Sequence, residues 1–259
     1  MPKSRFLFLL LLVVMFQSTD ILAQTNGESA ELKVLTWNIW GRMNLDPKYT
    51  IAGKTGRDRV IDILRESKAD IITMAETYGS ATTIAKALQF YYYTPKEDAN
   101  LTIFSRYPLV NYGKIKGLSS FSFIAATVQL PNNRNVRVYN IWLTSGGRHI
   151  IDIKKDTISD VEFNAGDEIR FNHIQELLEH PDFKKDIDNK DEVPVIVAGD
   201  FNCVSHLDYI ESTKKAGLNY GRILKNKTSL AMEQTGFADS RSEERRVGKE
   251  CRSRWSPYH

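Results

Sequence analysis

The chain has 259 residues, 42% apolar and 26% charged, with a formal net charge of +3. That is enough apolar material for one substantial core, and the composition excludes a disordered chain or a repeat array. With only Cys203 and Cys251 available, a disulfide framework is not implied.

The first residues read as a targeting segment. Lys3 and Arg5 precede an apolar run over 6–16, and Ile21-Leu22-Ala23 stands before Gln24. This is a signal-peptide layout over 1–23 with cleavage near Ala23, so the protein is expected to be exported to periplasm or medium. The run is too short to span a bilayer as a helix, and no transmembrane span is expected in the mature chain.

Residues 33–40 are rich in Val, Leu, Ile and Trp and predict a buried strand that leaves into a loop at Gly41. Over 57–68, Val60, Ile61, Ile63 and Leu64 fall on one side, which predicts an amphipathic helix. Residues 70–75 read as a second buried strand with Glu76 at its C-terminal end, and 80–88 as a short helix. From 90 the pattern turns strand-rich, at 90–93, 101–105, 123–130 and 135–143, with Pro131-Asn132-Asn133 as a hairpin turn. A helix is predicted over 166–180, with Ile169, His173, Ile174, Leu177 and Leu178 near one face. The apolar strand 194–198 then delivers Gly199-Asp200. Strands mixed with helices indicate a layered α/β protein of one domain.

Some features invite over-reading. Ala52-Gly53-Lys54-Thr55 has the end of a phosphate-binding loop but lacks its first glycine and a preceding strand, so it reads as a surface loop. Asn100-Leu-Thr and Asn226-Lys-Thr match glycosylation sequons. Tyr91, Tyr92 and Tyr93 alternate in direction and suggest strand packing rather than a base-stacking platform. Cys203 reads as a small buried residue.

At the far end, residues 241–259 switch to Arg, Glu, Ser and Trp with no apolar periodicity and look like translated vector or adapter sequence. A basic tail for a polyanionic partner is the alternative. That stretch carries +3 and residues 1–23 carry +1, which leaves the body between them at −1. The basic pI therefore comes from the two ends, and there is no strong nucleic-acid signature.

Chemistry concentrates at three strand tips: Asn38 in Thr36-Trp37-Asn38-Ile39, Glu76 in Met74-Ala75-Glu76-Thr77, and Asp200 and Asn202 in Gly199-Asp200-Phe201-Asn202. The run 195–198 is too apolar to accept a charge, so Asp200 must emerge at the strand end. An Asn, a Glu and an Asp-x-Asn in those places are what a hydrolase needs to hold Mg²⁺ against a phosphate ester. Each also has a plainer use, since Asn and Asp cap turns and a Glu after a strand is often solvated.

The order and wording of these motifs, together with Ser105-Arg106-Tyr107-Pro108-Leu109 and Gly236-Phe237-Ala238-Asp239, resemble the endonuclease/exonuclease/phosphatase superfamily. The resemblance covers residues 32–239. It implies a four-layer αββα sandwich of two packed mixed β-sheets, incomplete at the C-terminus, and hydrolysis of a phosphodiester or phosphomonoester by in-line water attack. Glu76 and Asn38 are then the metal residues, for Mg²⁺ with Mn²⁺ as the alternative. Asp200 positions the water, and Asn202 donates to the phosphate.

Two departures qualify the resemblance. The family's closing Ser-Asp-His motif is not found, so the chain as given is expected to be catalytically crippled. Where many members have histidine in Asn-x-His-Leu, this chain has Trp142, a candidate for stacking on substrate or for simple core packing. Arg148 and His149 follow and are candidates to supply positive charge to a phosphate. His206 and Asp208 are expected to support the same cleft, and Arg106 to form a structural ion pair. The partner expected is a phosphate-ester substrate acted on by a monomer. The competing readings are a nuclease and a non-catalytic module that binds a phosphate or carbohydrate ligand.

Overall fold

The computed structural model describes residues 31–40, 50–146 and 158–240. The expected signal peptide, Arg148, His149 and the 241–259 stretch lie outside the described residues.

Strand β1 (Val34–Asn38) runs parallel to β2 (Ile71–Ala75) and sets Asn38 opposite Ala75. β4 (Thr102–Ser105) pairs antiparallel with β2, and β3 (Tyr91–Tyr93) with β4, giving a sheet in the order β1-β2-β4-β3. The second sheet runs β5-β6-β7-β8, from Leu109–Lys114, Phe123–Gln129, Asn135–Trp142 and Val195–Asp200. Its first three strands are antiparallel neighbours, and β8 runs parallel to β7. Both sheets are mixed, as expected.

Alternation along the strands builds the layers, because successive side chains face opposite ways. In β2, Ile72 and Met74 face outward with Val60, Ile61 and Leu64 of helix α1 (Gly56–Ser67) and Ile84 of α2 (Ala81–Leu88). Ile71 and Ala75 face inward and meet Ile124, Ala126, Val136 and Val138 of the other sheet. On that sheet's outer side, Tyr139, Ile141 and Leu143 pack against Ile174 and Leu177 of α4 (Glu168–Leu178), Phe183 of α5 (Pro181–Asp188) and Met232 of α7 (Lys227–Gln234). The order is helices, sheet, sheet, helices. Asn140 ties the two sheets together, its Nδ2 donating to Met74 O and Thr102 O at 2.9 Å each.

The differences from expectation have local causes. β1 is a sheet edge rather than the buried strand expected, and Val34 is 39% exposed. Ile63 lies off the buried stripe of α1 and is exposed, as is Ile169 on α4. The helix predicted over 166–180 is α4, and an unanticipated helix, α3 (Asp160–Gly166), precedes it, the two being separated where Asp167 turns its carboxylate inward to the Thr228 N–H and hydroxyl. The turn after β6 is a short 3₁₀ segment, Pro131–Asn133. Neither β5 nor α5 to α7 was anticipated, α6 being Glu211–Lys215.

Other readings have the following outcomes. Arg106 pairs with Asp70 at 3.0 Å and lies over the Phe90 ring. Ile51 and Lys54 close a turn, and Thr55 then caps α1 through a reciprocal bond with Asp58. Tyr92 stacks on Phe104 within its own sheet. Cys203 is only half-buried by exposure, yet burial around its sulfur pushes the thiol well above its ordinary range. Both sequon asparagines are 1% exposed, and Asn226 is spent as the N-cap of α7. No helix among the described residues is long and apolar enough to cross a membrane.

Candidate active site

The parallel pairs β1–β2 and β7–β8 bring their C-terminal ends together, although they belong to different sheets. At that junction Asn38 Nδ2 donates to Glu76 Oε1 at 2.9 Å and to Asp200 Oδ2 at 2.7 Å. The two carboxylate oxygens are therefore no further apart than those two bonds laid end to end. Asn38 Oδ1 accepts from the Trp40 N–H at 2.7 Å, which fixes the amide's direction. Sequence reasoning gave Asn38 an oxygen for a metal; here the two anionic neighbours draw its donor end instead.

Asp200 reaches this point because of the glycine before it. Gly199 has φ +138°, and a Cβ built there would lie 2.1 Å from Ile141 O on β7. Only glycine fits that close approach of the two strands. After it, Asp200 Oδ1 accepts from Asn202 N at 2.9 Å, forming a tight side-chain turn with Asn202 at φ +49°. Asn202 Nδ2 donates to Leu143 O at 2.7 Å, using one of its two hydrogens.

Glu76 is held in an unfavourable backbone conformation, φ +62°. Asn100 is the residue that holds it. Its Oδ1 accepts from Glu76 N at 3.0 Å, its Nδ2 donates to Phe121 O at 2.8 Å, and its own carbonyl accepts from Thr77 N. Sequence reasoning saw Asn100 only as a sequon. The available signal was a lone amide between Ala99 and Leu101, at the entrance to a strand with no exposed face.

Trp142 ends β7 directly opposite Asp200. Its ring meets Phe121 edge-on at 5.2 Å, and the indole N–H is buried without a partner. His206 turns away to α7, where its ring nitrogens meet Ser229 Oγ and Glu233 Oε2. The site thus brings together Asn38, Glu76, Asp200 and Asn202, with Trp142 beside them.

A divalent cation can be tested against this donor set. Glu76 and Asp200 are half-buried carboxylates that converge without nitrogen or sulfur ligands, which suits a hard ion such as Mg²⁺ or Mn²⁺ that keeps part of its water. Among the described residues no cluster of three or more acidic, His or Cys side chains forms a complete cage. The residues fit an ion shared with substrate oxygens.

Fold and site together define an α/β sandwich with an oxygen-rich centre at its strand ends. A sequence model of the Endonuclease/Exonuclease/phosphatase family matches residues 35–257, and the chain belongs to that family. Its members are hydrolases of phosphate esters, phosphoesterases and nucleases among them, and commonly use divalent metal ions. The match runs into the stretch whose composition suggested foreign sequence.

An uncharacterized Caenorhabditis elegans protein, F14F9.5, is 23% identical over 242 residues, 90% of this chain and 71% of that one. Among solved structures, an AP endonuclease from Archaeoglobus fulgidus shares the fold with a TM-score of 0.52 and 14% identity, over 85% of this chain and 76% of that one. A humanized D. rerio TDP2 gives a TM-score of 0.43 and 14% identity, over 68% of this chain and 65% of that one. The chain therefore spans just under two thirds of that TDP2.

Proposed function

We propose that the protein is a Mg²⁺-dependent phosphoesterase that hydrolyses small phosphodiesters or phosphomonoesters. One observation carries the reading: a single amide, Asn38 Nδ2, gathers the carboxylates of Glu76 and Asp200 from different sheets. Two anions that repel one another are expected together only where a cation or a catalytic need compensates.

Glu76 and Asp200 would hold the ion, whose contribution is to offset negative charge on the phosphate oxygens. Asp200 orients the attacking water and accepts its proton at the carboxylate as the oxygen closes on phosphorus and the opposite phosphorus–oxygen bond breaks, the leaving oxygen taking a proton from solvent. Asn202 gives its second amide hydrogen to a phosphate oxygen, where negative charge grows. Asn38 keeps both carboxylates aimed, and Asn100 keeps Glu76 in place from behind. Arg148, His149 and Trp142 remain candidates to contact the substrate.

The near-neutral body favours sugar, inositol or lipid-headgroup phosphates over duplex DNA. The AP endonuclease likeness keeps a nuclease as the alternative substrate class. The leader-like layout of residues 1–23 supports export as part of this reading.

The test is hydrolysis of bis(para-nitrophenyl) phosphate by the purified chain with and without Mg²⁺, beside Glu76→Ala and Asp200→Asn. Mg²⁺-dependent turnover, slow because the Ser-Asp-His motif is not found in this chain and lost in both variants, is the expected result. Equal turnover in all three proteins would overturn the assignment. Phosphate-ester binding with no turnover would point to a non-catalytic binding module, and cleavage confined to a DNA oligonucleotide to a nuclease.

A further inference from the structure

Residues 143–146 leave β7 where β8 delivers Asp200, and backbone groups of Leu143, Thr144 and Gly146 are hydrogen-bonded. Leu143 N–H donates to Asp200 O at 2.9 Å, and Leu143 O receives Asn202 Nδ2. One residue thus spans the Asp-x-Asn motif. The next group along, Thr144 N–H, donates to His173 Nδ1 at 3.1 Å. Gly146 O then accepts from Arg170 Nη1 at 2.6 Å. Arg170 and His173 sit three apart on α4, so they project from one face of the helix onto the loop.

The two anchors differ in kind. Arg170 is 1% exposed and charged at every accessible pH, with Asp167 beside it at 3.6 Å. His173 is not fixed in that way. A backbone N–H can only donate, so Nδ1 must present its lone pair and the ring proton must sit on Nε2. Imidazolium would set one N–H against another and release Thr144.

The ring's surroundings favour the neutral form. It lies edge-on to Phe123 of β6 at 5.1 Å and against Thr144, neither of which ionises. Burial pushes its pKa below the ordinary value, and Glu176 on the same helix opposes this only in part. The other charges around α4 are engaged in pairs, Arg170 with Asp167 and Lys227 with Glu168.

We propose that His173 is a positioning residue for Asp200 and Asn202, competent only when neutral, so that its protonation sets an acid limit on catalysis. This rests on the hydrolase reading above. The effect travels through Thr144 and Leu143 to the acceptor that aims the Asn202 amide. Because Asn202 acts on charge that develops at phosphorus, the loss falls on kcat more than on KM.

Two measurements on the full chain test it. The first is the pH profile of Mg²⁺-dependent bis(para-nitrophenyl) phosphate hydrolysis for wild type, His173→Ala and His173→Gln. Wild-type kcat should fall about tenfold per pH unit below the histidine midpoint. His173→Ala should lose about tenfold to a hundredfold against wild type at neutral pH and show no limb, the wild-type profile falling toward it in acid. His173→Gln, whose amide oxygen can accept the Thr144 N–H but does not titrate, should recover most of that loss and lack the limb. A Gln variant that keeps the wild-type limb overturns the proposal.

The second is nitrogen NMR of labelled protein without substrate. Nδ1 of His173 should be unprotonated at pH 7.5, and the Thr144 amide should shift with the ring's own midpoint. An Nδ1-protonated tautomer, or a Thr144 amide indifferent to the ring, refutes the bond on which the proposal stands. An inert wild type would defeat the hydrolase reading and the catalytic role with it, while the resonances still decide the bond.

Discussion

Glu76 and Asp200 accept hydrogen bonds from the same nitrogen, Asn38 Nδ2, at 2.9 and 2.7 Å. One is delivered by the first sheet and the other by the edge of the second, so the site exists only when the sheets are packed. Its integrity reports on tertiary structure rather than on either sheet alone.

Removing the shared donor should expose this dependence. Asn38→Ala leaves two carboxylates facing each other, and activity or metal affinity should fall about tenfold to a hundredfold. Asn38→Asp adds a third negative charge and should make the melting temperature rise more steeply with Mg²⁺ than in wild type. Calorimetric melts across a Mg²⁺ series, compared with EDTA-treated protein, check both.

Asn100 should matter to an extent its sequence context hides. Asn100→Ala orphans the part-buried Glu76 N–H, at about 1–3 kcal/mol of unfolding free energy, and leaves the carbonyl of the exposed Phe121 to water. Asn100→Asp keeps the acceptor for Glu76 but loses the donor to Phe121, and should lie between Ala and wild type in Mg²⁺ affinity. Urea unfolding and Mg²⁺ titration measure the two effects separately.

Gly199 should tolerate nothing larger. With Ile141 O 2.1 Å from any Cβ, Gly199→Ala must open the β7–β8 ladder. A loss above about 4 kcal/mol, or failure to fold, is expected and is read by thermal denaturation. Gly53→Ala, on an exposed turn with nothing within 4 Å of the added carbon, is the comparison, limited to the cost of its positive φ.

Stability should also fall in mild acid through His173. Its folded-state pKa lies below the unfolded value of about 6.5, so the unfolded chain binds the proton more readily. The contribution is complete above about pH 6.5 and declines as pH falls from there toward the folded pKa. In urea titrations between pH 8 and 5, His173→Gln should show a shallower decline than wild type.

The layered fold and the four central residues were legible because strand tips carry them: an apolar run cannot bury Asp200, so the charge had to emerge at its end. The motif resemblance added the second sheet, which periodicity could not show. What escaped the sequence were groups whose role depends on distant backbone. Asn100 answers to Glu76 and Phe121, and His173 to Thr144, through amides and carbonyls that are the same in every residue. β5 was missed because its exposed, bulged edge, with Asn111 and Gly113 inside it, lacks the apolar alternation of a strand.

The burial of Asn100 and Asn226 reaches beyond the site. Each amide that a sugar-transferring enzyme would modify is already committed inside the folded protein, one behind Glu76 and the other at the start of α7. In a compartment that decorates such sequons, folding and glycan attachment would compete for the same two side chains. A chain that closed first would be exempt from modification, and one reached first by the transferase would carry a bulky polar adduct where its interior has no room.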